Sequence, residues 1–309
     1  MNSKNNNTSK NIKNNNHKYI LYNLYAIKGS IKHYFHFFFG IMIPLILEYI
    51  EYKKHYEYCT FIVKDNIGPF FRILFELPID IKIDNFLEKN NLEIEEKYLI
   101  PMDTQLMNKK SLRWIKEKRA AIFTRAICKK INQWFQEQIS LYNFFVYPSN
   151  YKIDILIIER KTNTSYKSLY TKKKIDSNDK FTKSGTERRC IINHKQFVEN
   201  IKKMYPNKNI INISTEYMSI FEQYYIFKNS KFVIAQHGAA LANIIFMENK
   251  CSVLEIIYKE QLKENWFLEL SKSCNKLNYF QYLTNEESSI IDLNNFNFFI
   301  KKENIFNEK

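Results

Sequence analysis

The stretch Lys231–Ile257, KFVIAQHGAALANIIFMENKCSVLEII, decides how the chain is read. Phe232–Gln236 is an apolar run of strand length, His237-Gly238-Ala239 a tight turn, Ala240–Met247 a short apolar helix, and Cys251–Ile257 a second buried strand. Continuously apolar strands flanking a helix predict a parallel β-α-β unit, because such strands are covered on both faces. The polar His237-Gly238 pair falls where the first strand ends. In an open α/β sheet ligands bind at that edge, and the amides that begin a helix there attract anions. Glycine removes the β-carbon that would keep a phosphate from the backbone. His237 adds a side chain that donates a hydrogen bond or moves a proton near neutral pH.

The same alternation continues upstream. Ile153–Ile158 is the strongest strand and follows the punctuation Pro148-Ser149-Asn150; Lys161–Gly185 is polar and aperiodic, a long loop. Ile191–Met204 reads as a turn into a helix, Asn209–Ile213 as a strand, Thr215–Asn229 as a helix capped at Ser214-Thr215-Glu216, and Gln261–Ser273 as another helix. Before the punctuation, Tyr34–Tyr56 has helical spacing, Thr60–Val63 and Tyr98–Ile100 are short strands, and Ser111–Ser140 is a long amphipathic helix. The expected organisation is a disordered Asn/Lys-rich tail over 1–18, a first domain over 19–149, a second over 150–283, and a tail over 284–309 packing back on the first domain. Alternating helices and strands in both halves predict an α/β protein of two Rossmann-like domains with mainly parallel sheets.

Composition sets limits. The chain has 309 residues, 45% apolar and 16% aromatic, and a chain of this size buries roughly three quarters of its unfolded surface. The 47 basic against 32 acidic residues give a net charge of +15, which suits a phosphate-bearing partner or a peripheral contact with a membrane surface. Lys, Asn, Ile, Tyr and Phe are over-used throughout, so compositional bias explains much of that charge. No basic-aromatic motif has nucleic-acid-binding spacing, and no nucleic-acid partner is expected. The apolar run Phe37–Leu47 is interrupted by Pro44 and falls short of the roughly 20 residues of a membrane span. No apolar signal segment follows the first residues, so a cytoplasmic setting is expected. The five cysteines, Cys59, Cys128, Cys190, Cys251 and Cys274, are scattered without CxxC spacing. They suggest neither a disulfide frame nor a zinc site.

Several polar residues collect at the ligand edge of the second half. Arg160 ends IDILIIER, Arg188 and Arg189 precede Ile191-Ile192-Asn193, and Glu255 closes an apolar strand. Arginines beside a helix start and a histidine suit a diphosphate, since guanidinium binds phosphate oxygens in pairs. Each part also has a plain reading: a strand-end arginine that snorkels, a solvated basic loop, a structural histidine.

KFVIAQHGAALANIIFMENKCSVLEI resembles the HGAGL-x-N-x-x-F segment, followed by a strand ending in Glu, of glycosyltransferase family 61. Glu159–Asn163 (ERKTN) is similar to that family's strand-end Arg, Arg189–Asn193 to its R-x-I-x-N stretch, Phe221-Glu222-Gln223 to its Glu-Gln helix, and Tyr34-Phe35-His36-Phe37 to its Y-x-H-F opening. The five agree in order across Lys32–Ile257. The resemblance implies a GT-B-like fold, two Rossmann-like domains facing across a cleft. It implies an inverting, metal-independent glycosyltransferase without a cofactor, moving a sugar from a nucleotide-sugar, UDP-linked by expectation, to a glycan, glycoprotein or glycolipid acceptor. His237, Gly238, Ala239 and Asn243 would hold the diphosphate. Arg160 and Arg189 would balance the leaving group, with Asn193 beside them, and Glu255 would bind ribose or sugar hydroxyls. His36, with Asp65 and Asp103 as rivals, would be the base for the acceptor hydroxyl. His36 lies among Phe35, Phe37, Phe38 and Phe39, so a buried structural histidine stays open. Ala240 stands where the family carries Gly; it is harmless in a helix and strained at positive φ. A catalytically degenerate binding module is the alternative.

Overall fold

The computed structural model describes residues 17–24, 34–63, 70–83, 94–99, 125–142, 151–160, 189–263, 265–274 and 277–306. Two parallel sheets result. The first half supplies β1 (His17–Leu24), β2 (Tyr58–Val63), β3 (Asp80–Ile83) and β4 (Ile94–Leu99), ordered β3-β2-β1-β4. The second half supplies β5 (Ile153–Ile158), β6 (Ile210–Ile213), β7 (Ser230–Gln236), β8 (Ser252–Tyr258) and β9 (Asn278–Thr284), ordered β6-β5-β7-β8-β9. Every pairing in both is parallel. The order 3-2-1-4 and the order 2-1-3-4-5 are those of Rossmann-like halves, in which the strand order reverses beside the first strand.

The helices fill the layers. In the first half α1 (Tyr34–Phe37) runs through a π-helical segment (Phe38–Met42) into α2 (Ile43–Tyr52), followed by α3 (Phe71–Glu76) and α4 (Arg125–Tyr142). In the second half come α5 (His194–Met204), α6 (Ile220–Lys228), α7 (Trp266–Cys274) and α8 (Leu293–Lys302). β5, β7 and β8 are almost wholly buried, as strands covered on both faces must be. Alternate residues face two different cores. Ile155, Ile157, Phe232, Ile234, Leu254 and Ile256 pack under α5 and α8 with Phe197, Ile201, Phe296 and Ile300. Leu156, Ile158, Val233, Ala235 and Val253 face the other way. They join a single cluster that continues through Phe135, Phe227 and Phe246 to Phe38, Ile46 and Phe61 of the first half. Burying each such side chain contributes about 1.5–3 kcal/mol, so this shared layer is the largest stabilising element in view. Among the described residues no helix is long and apolar enough to cross a membrane.

Several expectations are corrected. The segment after His237-Gly238 is a 3-10 helix over Ala239–Phe246, not an α-helix. Leu241 to Met247 are all buried, and an apolar run on every side carries no period that separates 3.0 from 3.6 residues per turn. The described part of the tail expected to pack on the first half instead places α8 on the outer face of the second sheet, where Asn297 and Asn200 of α5 pair at 2.7 Å. β1 begins at His17, inside the tail expected to be disordered. The helix expected from Thr215 starts at Ile220 after a 3-10 turn at Thr215–Tyr217. Its cap is Ser219, whose hydroxyl accepts the Glu222 amide while Glu222 accepts the Ser219 amide, a reciprocal box stronger than the one expected at Ser214. α7 begins at Trp266 rather than Gln261. Of the expected Ser111–Ser140 helix, positions 111–124 lie outside the described residues, as do the boundary at 148–150 and the loop at 161–185.

Candidate functional site

The second sheet reverses its strand order between β5 and β7, and ligands of open α/β sheets bind in the crevice at the carboxyl ends of such a pair. Arg160 follows β5 and His237 follows β7. They meet: Arg160 Nη1–H donates to the His237 carbonyl at 2.8 Å. His237 N–H donates to Ile256 O at 2.8 Å, so the ladder runs one residue past β7 and fixes this carbonyl. Gly238 comes next with φ of 165°, extended backbone that any residue adopts. What the glycine leaves room for is the guanidinium: a β-carbon there would stand 3.0 Å from Arg160 Cζ and overlap Nη1, so the end of this side chain would have to move. The space expected for a phosphate approach is crossed by the guanidinium that would bind one. The first bond of the following turn is Leu241 N–H to Gly238 O at 3.0 Å, and the Ala239 and Ala240 amides precede it. Positive φ occurs outside glycine only at Lys250 and Asn304 among the described residues, so Ala240 is unstrained.

His237 is itself held. In register along β7, β8 and β9, Ala235 pairs with Glu255 and Glu255 with Gln281. Glu255 is 1% exposed and His237 4%. His237 Nδ1 lies 2.6 Å from Glu255 Oε1, and Gln281 Nε2–H donates to Glu255 Oε2 at 2.8 Å. A carboxylate only accepts, so the imidazole proton on this side belongs to Nδ1. Burying a carboxylate is costly unless it is paired and hydrogen-bonded, and both of its oxygens are. Phe267 of α7 stands edge-on to the imidazole, centroids 5.4 Å apart, with Phe35 of α1 edge-on to Phe267 at 5.7 Å. Burial first, then the Glu255 charge, pushes the Tyr279 phenol well above its usual range, so it stays neutral. A chain of contacts thus crosses four adjacent strands, from Gln281 through Glu255 and His237 to Arg160.

The structure sorts the other sequence candidates. Glu255, expected to bind sugar hydroxyls, is turned inward onto His237. Arg189 Nε lies 3.6 Å from Glu287 Oε1, and Glu287 also accepts Gln261 through that oxygen at 2.7 Å and Gln236 through its carbonyl at 2.8 Å. Gln236 precedes His237 in the strand and faces the opposite side of the sheet, so Arg189 is not drawn to the Arg160–His237 contact. Asn193 spends its amide on Ile291, donating to its carbonyl and accepting its N–H, both at 2.9 Å. Asn243 is 0% exposed and donates to Gln223 Oε1 at 2.8 Å. Tyr34 Oη of α1 lies 3.2 Å from that oxygen and 3.3 Å from Asn243 Oδ1. Asn193 and Asn243 are therefore struts rather than open ligands. The His36 side chain, Asp65 and Asp103 lie outside the described residues. Gln281 was missed; its signal was a polar residue in the strand beside a buried carboxylate. Among the described residues no cluster of three or more His, Cys, Asp or Glu could hold a metal ion.

Comparison with known proteins adds one match. The protein-family model described as Glycosyltransferase 61 aligns with residues 34–254. It opens on Tyr34, the partner of the buried Gln223 and Asn243, and closes one residue before Glu255. A search of curated proteins found no match.

Proposed function

We propose, from the premise that the chain belongs to the glycosyltransferase 61 family, that it moves a sugar from a UDP-linked donor to a glycan, glycoprotein or glycolipid acceptor with inversion and without a metal. The contact between Arg160 Nη1 and the His237 carbonyl at the strand-order switch carries this reading. It sets a permanent cation where an anion is favoured by topology and by the Ala239 and Ala240 amides. In a single displacement the acceptor oxygen attacks the anomeric carbon. The bond from that carbon to the diphosphate breaks, and its electron pair moves to the leaving oxygen. Arg160 would offset that charge, the task a metal performs in other transferases. The hydroxyl proton passes to a base, for which His36, Asp65 and Asp103 remain the candidates. A cytosolic place of action fits a soluble nucleotide-sugar.

The test is calorimetry and thermal shift with UDP and GDP. UDP is expected to raise the melting temperature by mass action, and Arg160→Ala to abolish the shift. No shift with either nucleotide, or an undiminished one in Arg160→Ala, overturns the reading. Slow hydrolysis of UDP-sugars, unaltered by EDTA, separates an enzyme from a binding module that has lost turnover.

A further inference from the structure

We infer that the cavity between the start of α4 and the end of α6 is a second anion site, suited to one phosphate monoester group and separate from the Arg160–His237 edge. The cavity holds about 680 Å³, within the roughly 300–1,000 Å³ of small-molecule sites. Its walls come from both halves of the chain. Arg125, Lys129 and Asn132 belong to α4, Lys228 to α6, and Met247 and Glu248 to the link into β8. The three α4 residues follow one another at spacings of four and three, so they line one stripe of the helix. Lys228 ends α6 just before β7, and Glu248 stands just before β8. The cavity therefore lies at the amino ends of these strands, whereas Arg160 and His237 follow carboxyl ends. The seven residues of β8, at about 3.3 Å each, put roughly 20 Å between the two levels.

The charge balance selects the ligand. Three cationic side chains share the wall with one carboxylate, and Glu248 Oε1 already lies 3.0 Å from Lys228 Nζ. Two positive charges are left over. A phosphate monoester balances them, since it carries about −1.5 to −2 at neutral pH. Arginine grips phosphate oxygens through a planar fork and lysine as a point charge, and the wall offers both. The floor is fixed by hydrogen bonds across the two halves. Asn132 Nδ2 donates to Cys128 O at 2.8 Å and to Ile245 O at 2.9 Å, and Tyr224 Oη of α6 donates to the Asn132 carbonyl at 3.1 Å. Asn132 Oδ1 is left buried without a donor among the described residues. An unmet buried acceptor is costly, and a hydroxyl carried by the ligand would meet it. Met247 adds an apolar side to the same cavity. A soluble phosphate ester and a lipid headgroup present the same group to this wall.

The experiment is calorimetry and thermal melting of the full chain with inorganic phosphate, at an ionic strength held constant with chloride. Saturable binding is expected, with a rise in melting temperature by mass action. Lys129→Gln and Lys228→Gln should each weaken phosphate about tenfold, the scale of one charge-assisted hydrogen bond. Arg160→Ala should leave that binding in place. Acetylation read by mass spectrometry needs no variant: phosphate should protect Lys129 and Lys228 while Lys301 and Lys302 of α8 react as before. Absence of saturable binding overturns the inference, as does binding lost in Arg160→Ala and kept in both lysine variants. Equal protection of all four lysines overturns it too. Phosphatidylcholine vesicles with and without phosphatidic acid identify the source. Flotation that needs phosphatidic acid and is lost in Lys129→Gln assigns the site to a lipid headgroup. Phosphate binding without flotation assigns it to a soluble ester. UDP plays no part in these measurements, so their outcome is independent of the proposed function.

Discussion

Arg160 lies across Gly238, held by the neighbouring His237 carbonyl at 2.8 Å and occupying the space a β-carbon would need. The glycine serves the arginine rather than the backbone, since its φ of 165° is open to any residue. Gly238→Ala is therefore expected to push the guanidinium aside while leaving the fold nearly as stable, because the far end of an arginine moves easily. UDP affinity should fall by about tenfold or more, in line with the roughly 1.5–3 kcal/mol of a charge-assisted hydrogen bond. Calorimetry beside a melting curve checks it. A large loss of stability with UDP affinity intact would show that the glycine is conformational after all.

Asn243, Gln223 and Tyr34 form the second expectation. Replacing the fully buried Asn243 by Ala removes the shorter of two hydrogen bonds to Gln223 Oε1 and leaves Tyr34 as its donor, and about 1–3 kcal/mol should be lost in urea denaturation. Tyr34→Phe should cost about 0.5–1.5 kcal/mol. The two losses should not add in the double variant, because they share Gln223.

Phe135 of α4 stacks on Tyr224 of α6 with centroids 5.0 Å apart and stands edge-on to Phe246 at 5.0 Å and Phe221 at 5.3 Å. It belongs to the first half and its partners to the second. Phe135→Ala should cost about 3–5 kcal/mol, and calorimetry should show one transition at a lower temperature rather than two.

Glu51 gives a dependence on acidity. Its hydrogen bond from Lys130 of α4, then that from Lys54, lowers its carboxyl from the ordinary 4.5 to about 2. A depressed carboxyl stabilises the fold above its unfolded value and loses that contribution as pH falls from about 4.5 toward 2. The group is solvent-exposed, so the effect is small and salt-sensitive. Urea midpoints of wild type and Glu51→Gln should differ at neutral pH and converge near the acid end of that window. A gap that widens on acidification would contradict the assignment.

Much of this was legible in the residues themselves. Apolar runs fixed β5, β7 and β8, and strand ends located Arg160 and His237, because burial on two faces leaves a continuous signature. Partners across the sheet were not legible. Glu255 and Gln281 stand 26 positions apart and nothing between them announces their register, so a reading that turns Glu255 toward a ligand misses that it faces a neighbouring strand. Asn243 was seen as part of a motif, yet its partner Tyr34 lies 209 residues away, beyond any local pattern. The Ala239–Phe246 segment misled for another reason: all-round burial erases the periodicity by which one kind of helix is told from another.

The shared aromatic layer between the sheets also bears on modular engineering. Exchanging the first half for that of a relative would set foreign side chains against Phe221, Tyr224 and Phe246. A workable chimera must carry α1, α2 and α4 across with the sheet that they were shaped to cover, so the seam for recombination lies among side chains rather than at a linker.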